Sequence, residues 1–253
     1  MMMPKQTWNP DKYARHAGFV AELGGDLIEM LAPARGEMIL DLGCGDGALT
    51  AKLLSLGCRV LAIDSSAEQV AAAAARNLDA QVVDAEAMTY EAAFEGVFSN
   101  AALHWMKRPE AVIDGVWRAL RPAGRFVGEM GGARNVQAVV DAVTKVLGER
   151  GVDAVACNPW FFPDEATYRK LLQDQGFDVE FMQLFPRPTP LDGDIVHWLK
   201  LFTQSFVADV DESEHEGIYS AVSAQLETTL RDDDGNWFVD YVRLRFKAIK
   251  PAS

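Results

Sequence analysis

The stretch Met38-Ile39-Leu40-Asp41-Leu42-Gly43-Cys44-Gly45-Asp46-Gly47 constrains the fold of this chain more than any other. Met38 to Leu40 is a short apolar run of the kind a buried parallel strand requires, and Ala48 to Leu56 continues with helical spacing. Gly43, Gly45 and Gly47 make the turn between them. Glycine adopts positive φ and has no Cβ, so backbone N–H groups at the start of the helix can approach a ligand closely. Asp41, at the carboxyl end of the strand, adds a fixed negative charge.

Strand, glycine turn and helix together make a nucleotide-type site, and two ligands compete for it. Gly43-x-Gly45-x-x-Ala48 satisfies the dinucleotide fingerprint, and Asp64 stands near the distance at which an acid holds a ribose hydroxyl. An NAD-dependent oxidoreductase is therefore one reading. Asp41 favours the other. A carboxylate two residues before the first glycine repels a pyrophosphate, whereas S-adenosylmethionine carries an ammonium and a sulfonium and no phosphate.

Four segments then match one family in order and spacing: Leu40-Asp41-Leu42-Gly43-Cys44-Gly45-Asp46-Gly47, Leu61-Ala62-Ile63-Asp64-Ser65-Ser66, Val83-Asp84-Ala85, and Leu120-Arg121-Pro122-Ala123-Gly124-Arg125-Phe126. Over roughly Trp8 to Gly132 the sequence resembles the class I S-adenosylmethionine-dependent methyltransferases. Asn9-Pro10 through Tyr13 and Ser99-Asn100-Ala101-Ala102-Leu103-His104-Trp105 look most like the trans-aconitate methyltransferase group. The family usually has glycine at Ala123.

The resemblance implies an α/β, Rossmann-like fold: a mostly parallel seven-stranded sheet with an antiparallel last strand and a helical cap inserted before it. It implies S-adenosylmethionine as methyl donor and S-adenosylhomocysteine as product. It assigns donor contacts to Asp41 and to Gly43, Cys44 and Gly45 of the turn. Asp64 would meet the ribose, Ser65 beside it would also contact the donor, and Gln69 would lie under the adenine. Asp84 would receive the adenine amino group, with the Ala85 N–H on a ring nitrogen. Asn100 would stand beside the methionine portion, and Tyr13 would close over the donor from the N-terminal segment. For catalysis the candidates are His104, whose ordinary pKa of ~6.5 suits a general base, and Tyr13, with Glu129 behind them.

With 24 Lys plus Arg against 37 Asp plus Glu, the net charge of −13 argues against nucleic acid as a partner. No apolar run approaches the ~20 residues that span a bilayer, and the first residues lack the apolar core of a signal peptide. The expectation is a cytoplasmic protein with no membrane contact, acting on a small-molecule substrate as a monomer or homodimer. Cys44, Cys58 and Cys157 are too few and too scattered for a disulfide framework or a zinc site, so no metal is expected.

The chain is read as one domain. Residues 1–35 form an N-terminal helical lid, 36–150 the donor-binding core, 186–235 the helical cap, and 236–250 the last strand. Phe177 to Phe185 and Asn236 to Ala248 read as strands that pair, with helices over Asp194 to Phe206 and Asp211 to Leu230 between them. Arg187-Pro188-Thr189-Pro190-Leu191 is not expected to continue a strand, because proline removes donors. Trp198, Leu201, Phe202 and Phe206 suggest an apolar lid over the acceptor, and Arg15, Arg134 or Arg187 would meet an anionic one. The remaining alternatives are methylation of an apolar or acyl substrate, and a protein that binds the donor without catalysis.

Overall fold

The computed structural model describes Thr7 and residues 25–252. Helix α1 (Gly25–Leu31) precedes strand β1 (Met38–Leu42), which leads through the glycine turn into α2 (Ala48–Ser55). Strand β2 (Arg59–Asp64), helix α3 (Ala67–Ala75) and strand β3 (Ala80–Val82) follow, then β4 (Phe94–Asn100), α4 (Pro109–Ala119) and β5 (Leu120–Gly131). The Ser66 hydroxyl accepts the N–H of Gln69 at 3.2 Å, as an N-cap does, and so sets where α3 begins. Pro109 opens α4, where its missing N–H costs nothing.

Helices α5 (Gln137–Gly148), α6 (Ala154–Cys157) and α7 (Glu165–Asp174) lead to β6 (Asp178–Pro186). Then come β7 (Thr189–Pro190), α8 (Ile195–Phe202), α9 (Gln204–Val207), α10 (Glu212–Leu230), β8 (Phe238–Val239) and β9 (Val242–Ile249). The large sheet has the order β3-β2-β1-β4-β5-β9-β6. Its first five strands run parallel, and β9 lies antiparallel between β5 and β6. The Rossmann-like expectation thus holds, antiparallel strand included.

Apolar side chains of β1, β4 and β5 pack against α4 and α7 on one face, including Leu40, Val97, Phe126, Val116 and Leu172. On the other face Ile39, Phe98 and Val127 meet α1 and α2. A separate cluster joins α5 to α8, α9 and α10 through Val139, Val143, Trp198, Phe206 and Val222. That cluster holds the inserted helices beside the carboxyl ends of the strands.

Two elements differ from the sequence reading. Asn236 to Ala248 is not one strand: β8 pairs with β7, and only β9 joins the large sheet. The break falls at Asp240, whose carboxylate accepts the N–H of Ala138 at 2.9 Å and whose carbonyl accepts that of Val136 at 3.2 Å, so the start of α5 draws it out of the ladder. As expected, Arg187 to Leu191 does not continue β6, which ends at Pro186; Thr189 and Pro190 form the two-residue partner of β8, an edge position that tolerates proline. Likewise the helix read over Asp194 to Phe206 is broken at Thr203, whose φ of −109° leaves the helical region while its N–H and hydroxyl both go to the Leu199 carbonyl, at 2.9 and 2.7 Å.

Glu129 and Arg187 have structural partners. Glu129 is buried, with Arg187 in a forked contact that includes Nη2 to Oε2 at 3.1 Å and Arg245 Nε on Oε2 at 2.7 Å. Glu129 also faces Arg245 across the β5–β9 ladder. Both carboxylate oxygens are engaged, which removes Glu129 from the candidate bases and ties Arg187 to the sheet. Glu129→Gln leaves two cations short of their anion, and urea unfolding should show a loss of about 3 kcal/mol.

Candidate active site

The acids singled out in the sequence stand at the carboxyl ends of three adjacent parallel strands. Asp41 on β1 lies opposite Ala62, and Asp64, two residues further along β2, lies opposite Val82. Asp84 follows two residues beyond Val82, so the carboxylates step along one rim at strand spacings of about 4.8 Å. Asp41 is 2 % exposed and accepts the Thr50 hydroxyl at 2.6 Å. Asp84 caps the 3-10 turn Ala85–Ala87 by accepting the N–H of Glu86 at 2.9 Å, and Ala85 beneath it is buried.

The glycine turn spends its donors on the protein itself. The N–H groups of Gly43 and Cys44 both reach the Ile63 carbonyl, at 2.8 and 3.0 Å. That of Gly45 reaches Asp64 Oδ2 at 3.0 Å, and that of Gly47 the Cys44 carbonyl at 3.1 Å. The expectation that these amides point at a ligand is thereby corrected. A pyrophosphate needs free donors and finds few here, whereas a cation meets Asp41 and Asp64 instead. Asp64 also accepts the N–H of Ser66 at 2.9 Å, so it clamps the turn to α3 as well as facing the crevice.

Burial and the neighbouring Asp64 push the Asp41 carboxyl up to about 7, against the pull of the Thr50 hydroxyl. Burial also raises Asp64 and, with the surrounding acids, raises the Cys44 thiol, which makes Cys44 a filler of the turn and not a nucleophile.

A cavity opens from the turn that follows β4. Ala101, His104, Trp105, Asn135, Val136, Trp160, Phe162, Trp198, Phe202, Tyr241 and Arg243 line it. Ala101 and Val136 hold positive φ of 56° and 48° although neither is glycine, a strained wall of the kind that concentrates at sites. Arg243 is buried with its guanidinium 4.4 Å from the Tyr241 ring centroid, and Tyr241 Oη accepts Trp198 Nε1–H at 2.7 Å. His104 is buried too, and its Nδ1 accepts the N–H of Gly131 at 3.2 Å. Burial, helped by the Arg243 charge, holds its pKa down to about 3.

This cavity and the glycine turn share a wall. A Cβ added to Gly43 would lie 2.1 Å from the Cβ of Ala102, the neighbour of cavity-lining Ala101. One turn therefore faces both sites.

Residues 40–128 match the family model described as a methyltransferase domain. An uncharacterised methyltransferase of Schizosaccharomyces pombe is 39% identical over 98% of this chain and 100% of its own length. The chain belongs to the class I S-adenosylmethionine-dependent methyltransferases. Trans-aconitate 2-methyltransferase of Mycobacterium tuberculosis is 31% identical over 68% of this chain and 69% of that protein. Phosphoethanolamine N-methyltransferase 2 of Haemonchus contortus, solved with phosphomonomethylethanolamine and S-adenosylhomocysteine, has the same fold, with a TM-score of 0.61 and 17% identity over 96% of this chain and 57% of that one.

The methyl donor of this methyltransferase is S-adenosylmethionine, and the residues fit it. Gly45, at φ +55°, has nothing within 4 Å of an added Cβ, so the turn leaves open space beside this position. Gln69 is buried with Oε1 lacking a hydrogen-bond partner, at the position the family resemblance sets under the adenine. Ser65 is exposed at the end of β2, and Asn100 ends β4 half-buried. Tyr13, like Arg15, lies outside the described residues. Arg134 is exposed and does not line the cavity.

The surroundings of His104 do not favour the general-base role expected of it. A ring that uses Nδ1 as acceptor and stays neutral down to about pH 3 is a poor general base near neutrality. Sequence reading missed Arg243, Asn135 and Tyr241. The signal for Arg243 was faint: Arg243, Arg245 and Lys247 alternate along one strand, which reads as a solvated face until the sheet order shows β9 buried between two neighbours.

Two substitutions check the donor site. Gly45→Ala should cost only the 1–2 kcal/mol or so of a left-handed alanine in the fold, yet weaken S-adenosylhomocysteine binding in calorimetry at least about tenfold. Asp41 makes a pH prediction. Its folded pKa of about 7 lies above the ordinary aspartate value of 3.8, so the stability it contributes is present below about pH 4 and lost as pH rises through 7. Asp41→Asn should therefore raise the melting temperature at pH 8 with the gain shrinking toward pH 4, while donor affinity, which in the parent tightens through pH 7, becomes weak and flat.

Proposed function

We propose that this methyltransferase methylates a carboxylate oxygen of a small organic acid. The observation that carries the reading is Arg243, a buried cation in a cavity whose other walls are Trp105, Trp160, Phe162, Trp198 and Phe202. A cation that has lost most of its water favours an anionic ligand, and the aromatic walls favour a flat or apolar body attached to it. The mycobacterial relative, whose name specifies trans-aconitate, supports the same class. Trp198 and Phe202 bring the inserted helices into the cavity wall, in keeping with a cap over residues 186–235. The aromatic lining also favours an acceptor with an acyl or other apolar portion.

S-adenosylmethionine supplies an electrophilic methyl group on a sulfonium. The protein's part is orientation: the turn from Asn100 to Trp105 stands between donor turn and cavity and holds the two reactants at one distance. Alignment of this kind can account for about 7–11 kcal/mol of a displacement barrier. A carboxylate is already ionised at neutral pH, so its methylation requires no base.

A screen of acids, alcohols, amines and macromolecules with labelled donor tests the proposal, and transfer confined to amines, protein or nucleic acid would refute it. Arg243→Met should lower kcat/KM for the acid about 10- to 100-fold, the worth of a hydrogen bond to a charged group, with affinity for S-adenosylhomocysteine unchanged. Binding of the donor with no turnover on any acceptor would point to a regulatory protein.

A further inference from the structure

The proton on His104 can be placed from geometry. Gly131 meets Nδ1 with its backbone N–H at 3.2 Å, and a backbone amide only donates. Nδ1 therefore carries the lone pair, and in a neutral ring the hydrogen sits on Nε2, on the opposite edge, turned away from β5. The ring has little freedom to reverse. It lies between Trp105 and Phe162 at centroid distances of 5.5 and 5.7 Å, and the His104 carbonyl accepts the N–H of Phe161 at 2.9 Å.

Arg243 stands directly across the ladder from Gly131, so donor ring and cation meet the cavity from adjoining positions. Among the described lining residues Arg243 is the charged one, with no carboxylate and no lysine. Tyr241, the other titratable group there, has its pKa raised by burial and its oxygen accepting from Trp198. None of these side chains takes up a proton near neutral pH.

Resting on the carboxylate reading of this cavity, we propose that His104 is a fixed Nε2–H donor that, with Arg243, holds one oxygen of the acceptor carboxylate and takes no proton during the reaction. The other oxygen supplies the electron pair. Its bond to the methyl carbon forms as the carbon–sulfur bond breaks, the sulfonium leaves as a neutral thioether, and the carboxylate becomes an ester with no proton released. The consequence is selectivity by ionisation state: alcohols and amines, which must shed a proton to react, find no group to accept it.

Histidine-selective 15N NMR on the full chain reads the tautomer without turnover, and His104→Gln assigns the signal among the four histidines. The Nε2–H form should persist from about pH 5.5 to 8.5. An Nδ1–H ring, or an imidazolium appearing near pH 6, overturns the inference. In kinetics with saturating donor, which removes the influence of Asp41, kcat on the acid should be flat over the same range. Glutamine offers an N–H near the Nε2 position, so His104→Gln should keep kcat/KM within about tenfold while His104→Phe loses about 100-fold, as befits a donor to a charged group. Equal losses in both, with a kcat that rises with pH, would identify a base and overturn it. A screen returning only alcohols or amines overturns the carboxylate reading whatever the tautomer, whereas an acid acceptor with an Nδ1–H ring overturns this inference alone.

Discussion

The close approach of Gly43 to Ala102 is the contact on which both sites depend. At φ +75° and with a would-be Cβ 2.1 Å from that of Ala102, position 43 admits no side chain without displacing the turn after β4. That turn carries Ala101, His104 and Trp105 into the aromatic cavity. Glycine turn and cavity are thus positioned by a single packed joint between β1 and β4, which neighbour each other in the sheet. Interiors packed this tightly transmit displacements of a fraction of an ångström, so alignment for an in-line displacement is built into the core and not left to a loop.

Electrostatics follow from the same packing. Burying Asp41 beside Asp64 raises its pKa toward neutrality, a cost to the empty protein that a cationic ligand offsets. The glycine turn is latched to β2 and α3 through Ile63 and Asp64, which leaves acidic groups and not amide donors to characterise the crevice. Across the shared wall the sign reverses: Arg243 gives the neighbouring cavity a positive charge. Opposite fields on the two faces of one turn favour ligands of opposite charge on its two sides.

Local patterns located most of the frame. Ser66 and Asp164 cap the helices their positions announce, and Pro109 opens α4. Failures came where distant partners overrode local preference. Asn236 to Ala248 has the β-branched and aromatic content of one strand, yet α5 captures Asp240 and divides it. Glu129 and Arg187 each looked available to a substrate until the sheet order placed them together. His104 suggested a base because its ordinary pKa suits one, and only tertiary structure shows it buried with the Gly131 amide on Nδ1.

The sequence by itself determined the strand–turn–helix at Met38 to Gly47, the acids at successive strand ends, and with them the family and the class of methyl donor. Those features are local in the chain: each acid follows its own strand, and each glycine serves its own turn. Tertiary structure alone decided which amides are spent, that the Gly131 amide meets His104, and that Arg243 stands in the aromatic cavity. The amides go to Ile63 and Asp64 on the neighbouring strand, His104 meets Gly131 from another element, and Arg243 depends on the placement of β9 between β5 and β6; no local pattern encodes which strand will lie beside which.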